Sequence, residues 1–445
     1  MKCGLKITCW NGSKAETVTS RVQSIPDNGQ ENDAVNLHPD FTYQTFGGFG
    51  GALTEAAALT YAQMPAPLQK ELLEAYYGKE GLGYTLARMS VDSCDFGLGN
   101  YSAMTEDGDV WGSGFSLARD EKAVLPLYQD ASETLGRPLE GMLSPWSPPA
   151  FMKTNGGKNH GGKLKPEYYE KWAQYLCRYL KEYRERGVDV KRLSVQNEPA
   201  ATQTWDSCLY DSQEEKRFLR DFLHPALRRH GLEGVELYIW DHNKERALER
   251  TLAVLDKDTA PLVAGVALHW YSGDHFDALR MIRERYPHLK LLFSEACIEY
   301  SRQEAGEHLA NARRYAHNLI GDLNEGVQFF HDWNILLDET GGPNHAGNFC
   351  DAPIHYDREK RTLEKRLSYE YLGHFTRAIV PGSVRIGSSK FSPDVEATAF
   401  RRLDGTIAAV LLNRTARGLN LWLRVQGELI PLQLPGDSIA TAILE

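Results

Sequence analysis

Eight times along this chain, a short apolar or β-branched run ends in a polar or aromatic cluster and gives way to a charged, amphipathic stretch. The runs are FGGFGGALTE (46–55), YTLARMSVDSCDF (84–96), GMLSPWSPP (141–149), RLSVQNEP (192–199), ELYIWDHN (236–243), GVALHWYSG (265–273), LKLLFSEA (289–296) and GVQFFHDWN (326–334). Brief apolar runs of this kind are what strands buried on both faces look like. The segments between them read as helices. In PEYYEKWAQYLCRYLKEYRERG (166–187), Tyr168, Trp172, Tyr175, Leu176 and Tyr179 recur at spacings of three and four, the stripe of a helix that packs one face. Strand then helix, eight times over, predicts an α/β chain whose residues 46–382 form a (β/α)8 TIM barrel. The rival is an open doubly wound sheet, but no GxGxxG opens a helix here, and GGFGG has the wrong spacing.

The two ends follow another rule. Residues 383–445 alternate apolar and polar, and Asp404-Gly405 and Pro435-Gly436 punctuate them as hairpin signals. AFRRLDGTIAAVLLN and LNLWLRVQ read as strands of an antiparallel sheet, and the first 45 residues are also strand-and-turn material. The expectation is one antiparallel side β-domain built jointly by 1–45 and 383–445.

Composition limits the partners. Hydrophobic residues make up 42% and charged ones 25%, ordinary for a folded globule. The formal net charge of −10 argues against nucleic acid, because phosphate backbones demand a basic face. No stretch approaches 18 uncharged apolar residues, so no membrane insertion is expected. The opening MKCGLKITCWNGSKAE lacks an apolar signal core, and the 7 cysteines are odd in number and scattered. Both features suit a reducing, cytoplasmic setting. There is neither a CxxC pair nor an HExxH, so no metal and no cofactor is expected.

A barrel of this type carries its chemistry at the C-terminal ends of its strands, where Asp95, Trp146, Glu198, Asp241, Tyr271, Glu295 and Trp333 fall. Glu198 and Glu295 stand out. At ~30 residues per repeat they lie about three repeats apart, which faces them across the barrel mouth if they end strands four and seven. Two carboxylates flanking a pocket are what glycosidic cleavage needs: one protonates the leaving oxygen and the other attacks the anomeric carbon. Asn197 suits a donor to the sugar 2-hydroxyl, while Trp146 and Trp333 offer indole faces to a sugar's C–H surface. Each residue also has a plainer reading. A lone Glu after a strand is often an ion-pair residue, and a lone Trp is often core. Cys94 and Cys297 read as small buried hydrophobes rather than nucleophiles. His269, His331, Asp241 and His242 were weighed as a metal set, but without an HxH pair on one strand they read as hydrogen-bonded structural residues.

The sequence also resembles glycoside hydrolase family 30, of the glucosylceramidase type, from about Phe46 onward. The resemblance rests on GGFGGALTEAAA (47–58), RMSVDSCDF (88–96), SPWSPPAFMKTNG (144–156), VQNEP (195–199), HWY (269–271), SEAC (294–297), DWN (332–334), GGPN (341–344) and GHFTRAIVPGSVRI (373–386), all in the family's order. It implies a retaining β-glycosidase on a (β/α)8 barrel with a side β-domain and no metal. It further implies that Glu198 is the general acid/base, Glu295 the nucleophile, Asn197 the 2-hydroxyl partner and Tyr271 the hydrogen-bond partner of the nucleophile. Arg88, Asp95, Trp146, Trp333 and Asn348 fall on pocket-lining positions. The chain departs from the family in two places on the leaving-group side. The loop AATQTWDSCLY after Glu198 is shorter than in mammalian lysosomal members, leaving Trp205 as the candidate aglycone contact, and His345 stands where Trp is common.

The expected substrate is a β-linked glycoside or oligosaccharide. The leading reading is exo-action on β-glucosides or β-xylosides. The alternatives are an endo-β-1,6-glucanase, a β-fucosidase, or a carbohydrate-binding protein without catalysis. Partial burial and a charged neighbour are expected to keep Glu198 protonated in the free protein, giving a bell-shaped rate profile below neutral pH.

Overall fold

The computed structural model describes residues 1–302 and 306–445. Each of the eight runs meets a barrel strand: β1 Gly48–Ala52, β2 Leu86–Val91, β3 Glu140–Pro145, β4 Asp189–Ser194, β5 Glu236–Asn243, β6 Gly265–His269, β7 Lys290–Glu295 and β8 Val327–Asn334, with β3 beginning one residue and β4 three residues ahead of the run. They pair in parallel in sequence order, and β8 closes onto β1. Glycine permits the closure: a Cβ on Gly50 of β1 would lie 2.2 Å from the Leu86 carbonyl oxygen of β2. Leu86, Met142, Tyr238, Ala267, Leu292 and Phe329 fill the barrel's lower interior, so its axis is a packed plug and only the C-terminal mouth is open to ligands.

The helix Tyr169–Glu185 buries Trp172, Tyr175, Leu176 and Tyr179, as the stripe predicts, and Tyr183 one turn further on. Tyr168 is the exception: it sits in the turn before the helix, with its hydroxyl on Asp107. The stripe uses tyrosine where leucine would fill the same space, and the structure gives the reason. Tyr175 donates to both oxygens of buried Asp92 (2.6 and 2.7 Å), and Tyr179 and Tyr183 donate to Asp120. Asp92 in turn receives the Ala103 amide (2.9 Å) and pins the long loop after β2 that carries Asp95.

The ends of the chain form a ten-stranded sheet. Lys2–Trp10 pairs with Ser438–Leu444, and Ala34–Thr45 pairs with Val384–Lys390, so both termini build one side domain. One pairing departs from the antiparallel expectation: Ala34–Thr45 runs parallel to Leu419–Val425. The two turn signals also part company. Asp404-Gly405 closes a hairpin between Val395–Arg401 and Ile407–Asn413. Pro435-Gly436 does not, because the strand before it pairs with Leu419–Val425 and the strand after it crosses to Ile407–Asn413. A Cβ on Gly436 would stand 2.2 Å from the Ala416 carbonyl oxygen, so glycine is required there for close packing, not for a hairpin. Among the described residues no helix is long and apolar enough to cross a membrane.

Asp92 is fully buried, and Tyr175 is its principal hydroxyl donor. Tyr175→Phe is therefore expected to cost about 2 kcal/mol, because it strands a buried carboxylate. The check is the urea unfolding midpoint, with far-UV circular dichroism unchanged below the transition.

Candidate active site

Two bulges aim the floor of the barrel mouth. In the pairing of β5 with β6 the register jumps from Trp240 to His242, which leaves Asp241 as the extra residue. In the pairing of β6 with β7 it jumps from Phe293 to Glu295, which leaves Ser294 extra. A bulged residue is re-aimed relative to the strand. Here both turn toward the axis and meet, Ser294 Oγ donating to Asp241 Oδ1 at 2.6 Å. Trp240 and Asp241 have φ of 72° and 44°, and Glu198, just beyond β4, has φ 46°. Non-glycine residues adopt that region at a cost of ~1–3 kcal/mol each, and such strain gathers at functional sites. The Glu198 amide donates to the Asp241 carbonyl (2.9 Å), which ties the two strained turns together.

Arg88, at the centre of β2, is fully buried and sits beneath the mouth. Its guanidinium donates to Glu295 Oε2 (2.5 Å), Asn197 Oδ1 (2.8 Å), Asp241 Oδ2 (3.1 Å) and Ser144 Oγ (3.2 Å). It also lies 4.8 Å from the ring of Trp146 and 5.2 Å from that of Trp333, which stack on each other at 5.3 Å. Glu295 accepts from Tyr271 Oη on its other oxygen, at 2.9 Å. Because Asn197 Oδ1 is taken by Arg88, its amide NH2 remains to donate into the cavity that Asn197 lines.

His269, the last residue of β6, bridges the two glutamates. Its Nδ1 lies 3.3 Å from Glu198 Oε1 and 3.8 Å from Glu295 Oε1, and its Nε2 lies 3.2 Å from Asp241. Burial alone would push the ring toward neutrality, but Glu295, Asp241 and Glu198 outweigh it and raise its pKa to about 9. Burial raises Glu198 too, yet His242 and His269, with hydrogen bonds from His269 and Gln203, hold it at about 2. The two shifts run in opposite directions and favour the proton on His269 over Glu198, against the expectation of a protonated Glu198. Nearby, Asp95 is pushed up to about 8 by burial and the charge of Glu295, against the pull of Asn344 (3.0 Å) and Asn348 (3.5 Å).

A ligand atom from each of Glu198, His269 and Glu295 falls within 4.8 Å of the others, a spacing a cation could in principle use. Both imidazole nitrogens face carboxylates, and Arg88 already sets a fixed positive charge among them. Of the other residues weighed as metal ligands, His242 approaches only Glu198, at 3.9 Å, and His331 is held neutral by burial, near 3. Cys94 and Cys297 are buried thiols whose pKa is raised by burial, in keeping with a packing role, though Cys297 Sγ does reach Tyr271 Oη at 3.3 Å.

The cavity above these groups holds about 270 Å³. Asp95, Trp146, Asn197, Glu198, Trp205, Tyr271, Glu295, Trp333 and Asn348 all line it; Arg88, expected with them, lies underneath. Gln203 and His242, the latter read from sequence as a structural histidine, line it as well, and Asn344 supports Asp95 from behind. Asn344 closes the GGPN string. No sequence signal marks Gln203.

The profile of the glycosyl hydrolase family 30 TIM-barrel domain matches residues 46–379, and that of the family's beta sandwich domain matches 382–442. The chain is 34% identical over 405 residues to the lysosomal acid glucosylceramidase of Mus musculus, covering 87% of this chain and 78% of that protein. It is 24% identical over 358 residues to an endo-1,6-beta-D-glucanase of Neurospora crassa, covering 78% and 72%. The crystal structure of SrfJ from Salmonella typhimurium superposes with a TM-score of 0.96 and 37% identity over 100% of both chains. With a matching barrel, a matching sandwich and a pair of carboxylates at the barrel mouth, the chain belongs to glycoside hydrolase family 30.

Proposed function

We propose that the protein hydrolyses β-glucosides from the non-reducing end by double displacement with retention. The observation that carries this reading is the carboxylate pair. An oxygen of Glu198 and one of Glu295 lie within 4.8 Å of each other, which supports the ~5–5.5 Å separation of retaining sites over the ~6.5–9.5 Å that admits an inverting water.

Glu295 is the nucleophile. Arg88 and Tyr271 fix one oxygen each, which limits its rotation and aims it at the anomeric carbon. Glu198 is the acid/base and draws on the proton it shares with His269 across 3.3 Å. A bound glycoside displaces water and lowers the local dielectric, which favours moving that proton from the imidazolium to the carboxylate, where the leaving oxygen receives it. After the aglycone departs, Glu198 takes a proton from the incoming water and the glycosyl ester on Glu295 is released. Asn197 donates to the 2-hydroxyl, and Asp95 with Asn348 meets hydroxyls at the other side of the ring.

A cavity of 270 Å³ is at the small end of ligand sites, which supports a single sugar ring and exo-action. The glucosylceramidase relative supports glucose as that sugar. The endo-1,6-beta-D-glucanase relative favours a second reading in which glucose occupies the same position within a chain. A panel of aryl β-glycosides (gluco, xylo, fuco) against β-1,6-glucan separates the two: release from the aryl glucoside with slow attack on the polymer is expected, and the reverse overturns exo-action.

Glu198→Gln is expected to lower kcat/KM by ~10²–10⁴ on an alkyl glucoside, and much less on a dinitrophenyl glucoside, whose leaving group needs no proton. Glu295→Gln is expected to be inactive on both. NMR of the first-formed sugar should show the β-anomer; the α-anomer would exclude retention.

Proton loss from Asp95 (about 8) and His269 (about 9) places the alkaline limb of kcat/KM above pH 8, not below neutrality. His269→Gln should abolish the limb near 9 and cost about 10²-fold on a poor leaving group at pH 7. A variant profile that superimposes on the parent's would remove His269 from the proton path.

A further inference from the structure

A larger cavity, about 460 Å³, lies where the side sheet meets the helix Leu367–Thr376, and it shares no lining residue with the carboxylate site. Strand register builds its floor. Lys6 stands opposite Thr19 on one neighbouring strand and Thr441 on the other, so the three share a row on one face. The next row is Gly4, flanked by Arg21 and Ile443. A Cβ on Gly4 would meet nothing nearer than 4.0 Å, so the missing side chain leaves a pit between two rows that carry cations.

The helix forms the roof. His374 docks it to the floor, Nε2 to Thr8 Oγ1 and Nδ1 to Thr441 Oγ1, both at 2.8 Å. Arg377, one residue past the helix, folds back over Gly373, where a Cβ would stand 2.1 Å from its Nη1, and it is held by the Gly81 carbonyl through Nε (3.0 Å). Arg402 closes one side. Four cationic side chains thus line one hollow, together with Leu5, Ala378 and Ile443.

These cations are short of counter-charge. Among the described residues, Lys6, Arg21 and Arg377 have no carboxylate within 4.0 Å. Arg402 has only Asp404, at 3.9 Å, and its buried Nε has no hydrogen-bond partner. Glu370 is the one acid whose charge reaches Lys6. The concentration of positive charge is felt by its neighbours: burial, Lys6 and Arg377 together drive His374 down to about 3. In a protein of net charge −10, an uncompensated basic hollow stands apart from the rest of the surface.

We propose that this hollow is a binding site for a phosphomonoester with an apolar body. Guanidinium forks match phosphate oxygens in pairs, Lys6 adds a point charge, and the hydroxyls of Thr19 and Ser20 are within the lining to complete the shell. The apolar part of the lining takes the ester's organic portion. The volume falls within the ~300–1,000 Å³ of small-molecule sites. The shared chemistry has two sources, a soluble phosphorylated metabolite or a lipid headgroup, and the size of the hollow favours the first.

The test is calorimetric titration of the full-length protein with 1-naphthyl phosphate, beside 1-naphthol and inorganic phosphate. Saturable one-to-one binding of the ester, at least about tenfold tighter than of either fragment, is expected. Lys6→Gln with Arg402→Gln should weaken it about tenfold or more, while glycosidase rate and melting temperature stay at parental values. Arg21→Gln, at an exposed position, repeats the test where the double variant proves unstable. Phosphatidylcholine vesicles containing phosphatidate, co-sedimented with parent and double variant, separate the sources: vesicle binding lost in the variant assigns a headgroup, and no vesicle binding with ester binding intact assigns a soluble ester. Absence of saturable ester binding, or an affinity unchanged in the variants, overturns the proposal.

Discussion

The buried guanidinium of Arg88 is the interaction on which the rest of the site depends. An ion with no solvent exposure is tolerated only when its charge is answered and its donors are largely paired, and here Glu295, Asp241, Asn197 and Ser144 take four of the five N–H groups beneath a double indole roof. The same contacts hold Glu295, the Asn197 amide beside Glu198 and the stacked tryptophans in one unit. Replacing Arg88 would therefore not remove one hydrogen bond; it would strand two carboxylates in the barrel. Glu198, Glu295 and Asp241 face Arg88 and His269, whose pKa is raised to about 9, so at neutral pH the cluster carries one negative charge in excess. A sugar passing through an oxocarbenium-like state supplies the missing positive charge for an instant. This is preorganised electrostatics of the kind that favours a transition state over the ground state.

Much of this was readable in the sequence because it is periodic or terminal. Buried parallel strands must be apolar along their length, so all eight appear as runs, and a carboxylate that ends such a run is conspicuous. Glu198, Glu295 and Trp146 were visible for that reason; Tyr271 and Asn348 became visible through family strings. What the sequence hid was geometry that leaves no compositional mark. The bulges at Asp241 and Ser294 involve no glycine, so nothing in WDHN or FSEA announces that a residue is turned inward. The location of the proton was hidden too. Burial and a neighbouring acid suggested a protonated Glu198; nothing in the sequence places an imidazole between the two glutamates, where it competes for that proton. Pro435-Gly436 misled for a related reason: a turn signal marks where the chain bends, not which strand it pairs with next.

The side sheet is more than an appendage to the barrel. Chain entry and exit are adjacent: the Phe46 amide donates to the Ser383 carbonyl and the Gly382 amide to that of Phe46, at 2.8 Å each. Phe46 packs against Phe49 of β1 on one side and Phe400 of the sheet on the other. Ala408, Val410, Leu412 and Ile439 of the sheet join the hydrophobic cluster that also contains the barrel's helices. A sheet that gives one face to another unit's core does not reach its full stability alone. Because β1 continues directly from the strand Ala34–Thr45, a displacement of the sheet is transmitted to the strand that pairs with both β2, bearing Arg88, and β8, leading to Trp333. The junction lined by Lys6, Arg377 and Arg402 lies elsewhere in the sheet, four strands from Ala34–Thr45, where it meets the helix Leu367–Thr376. A ligand held there would stiffen the contact between sheet and helix without approaching the sugar pocket, so any effect on catalysis would come through the order of the barrel strands and not through the chemistry at Glu295.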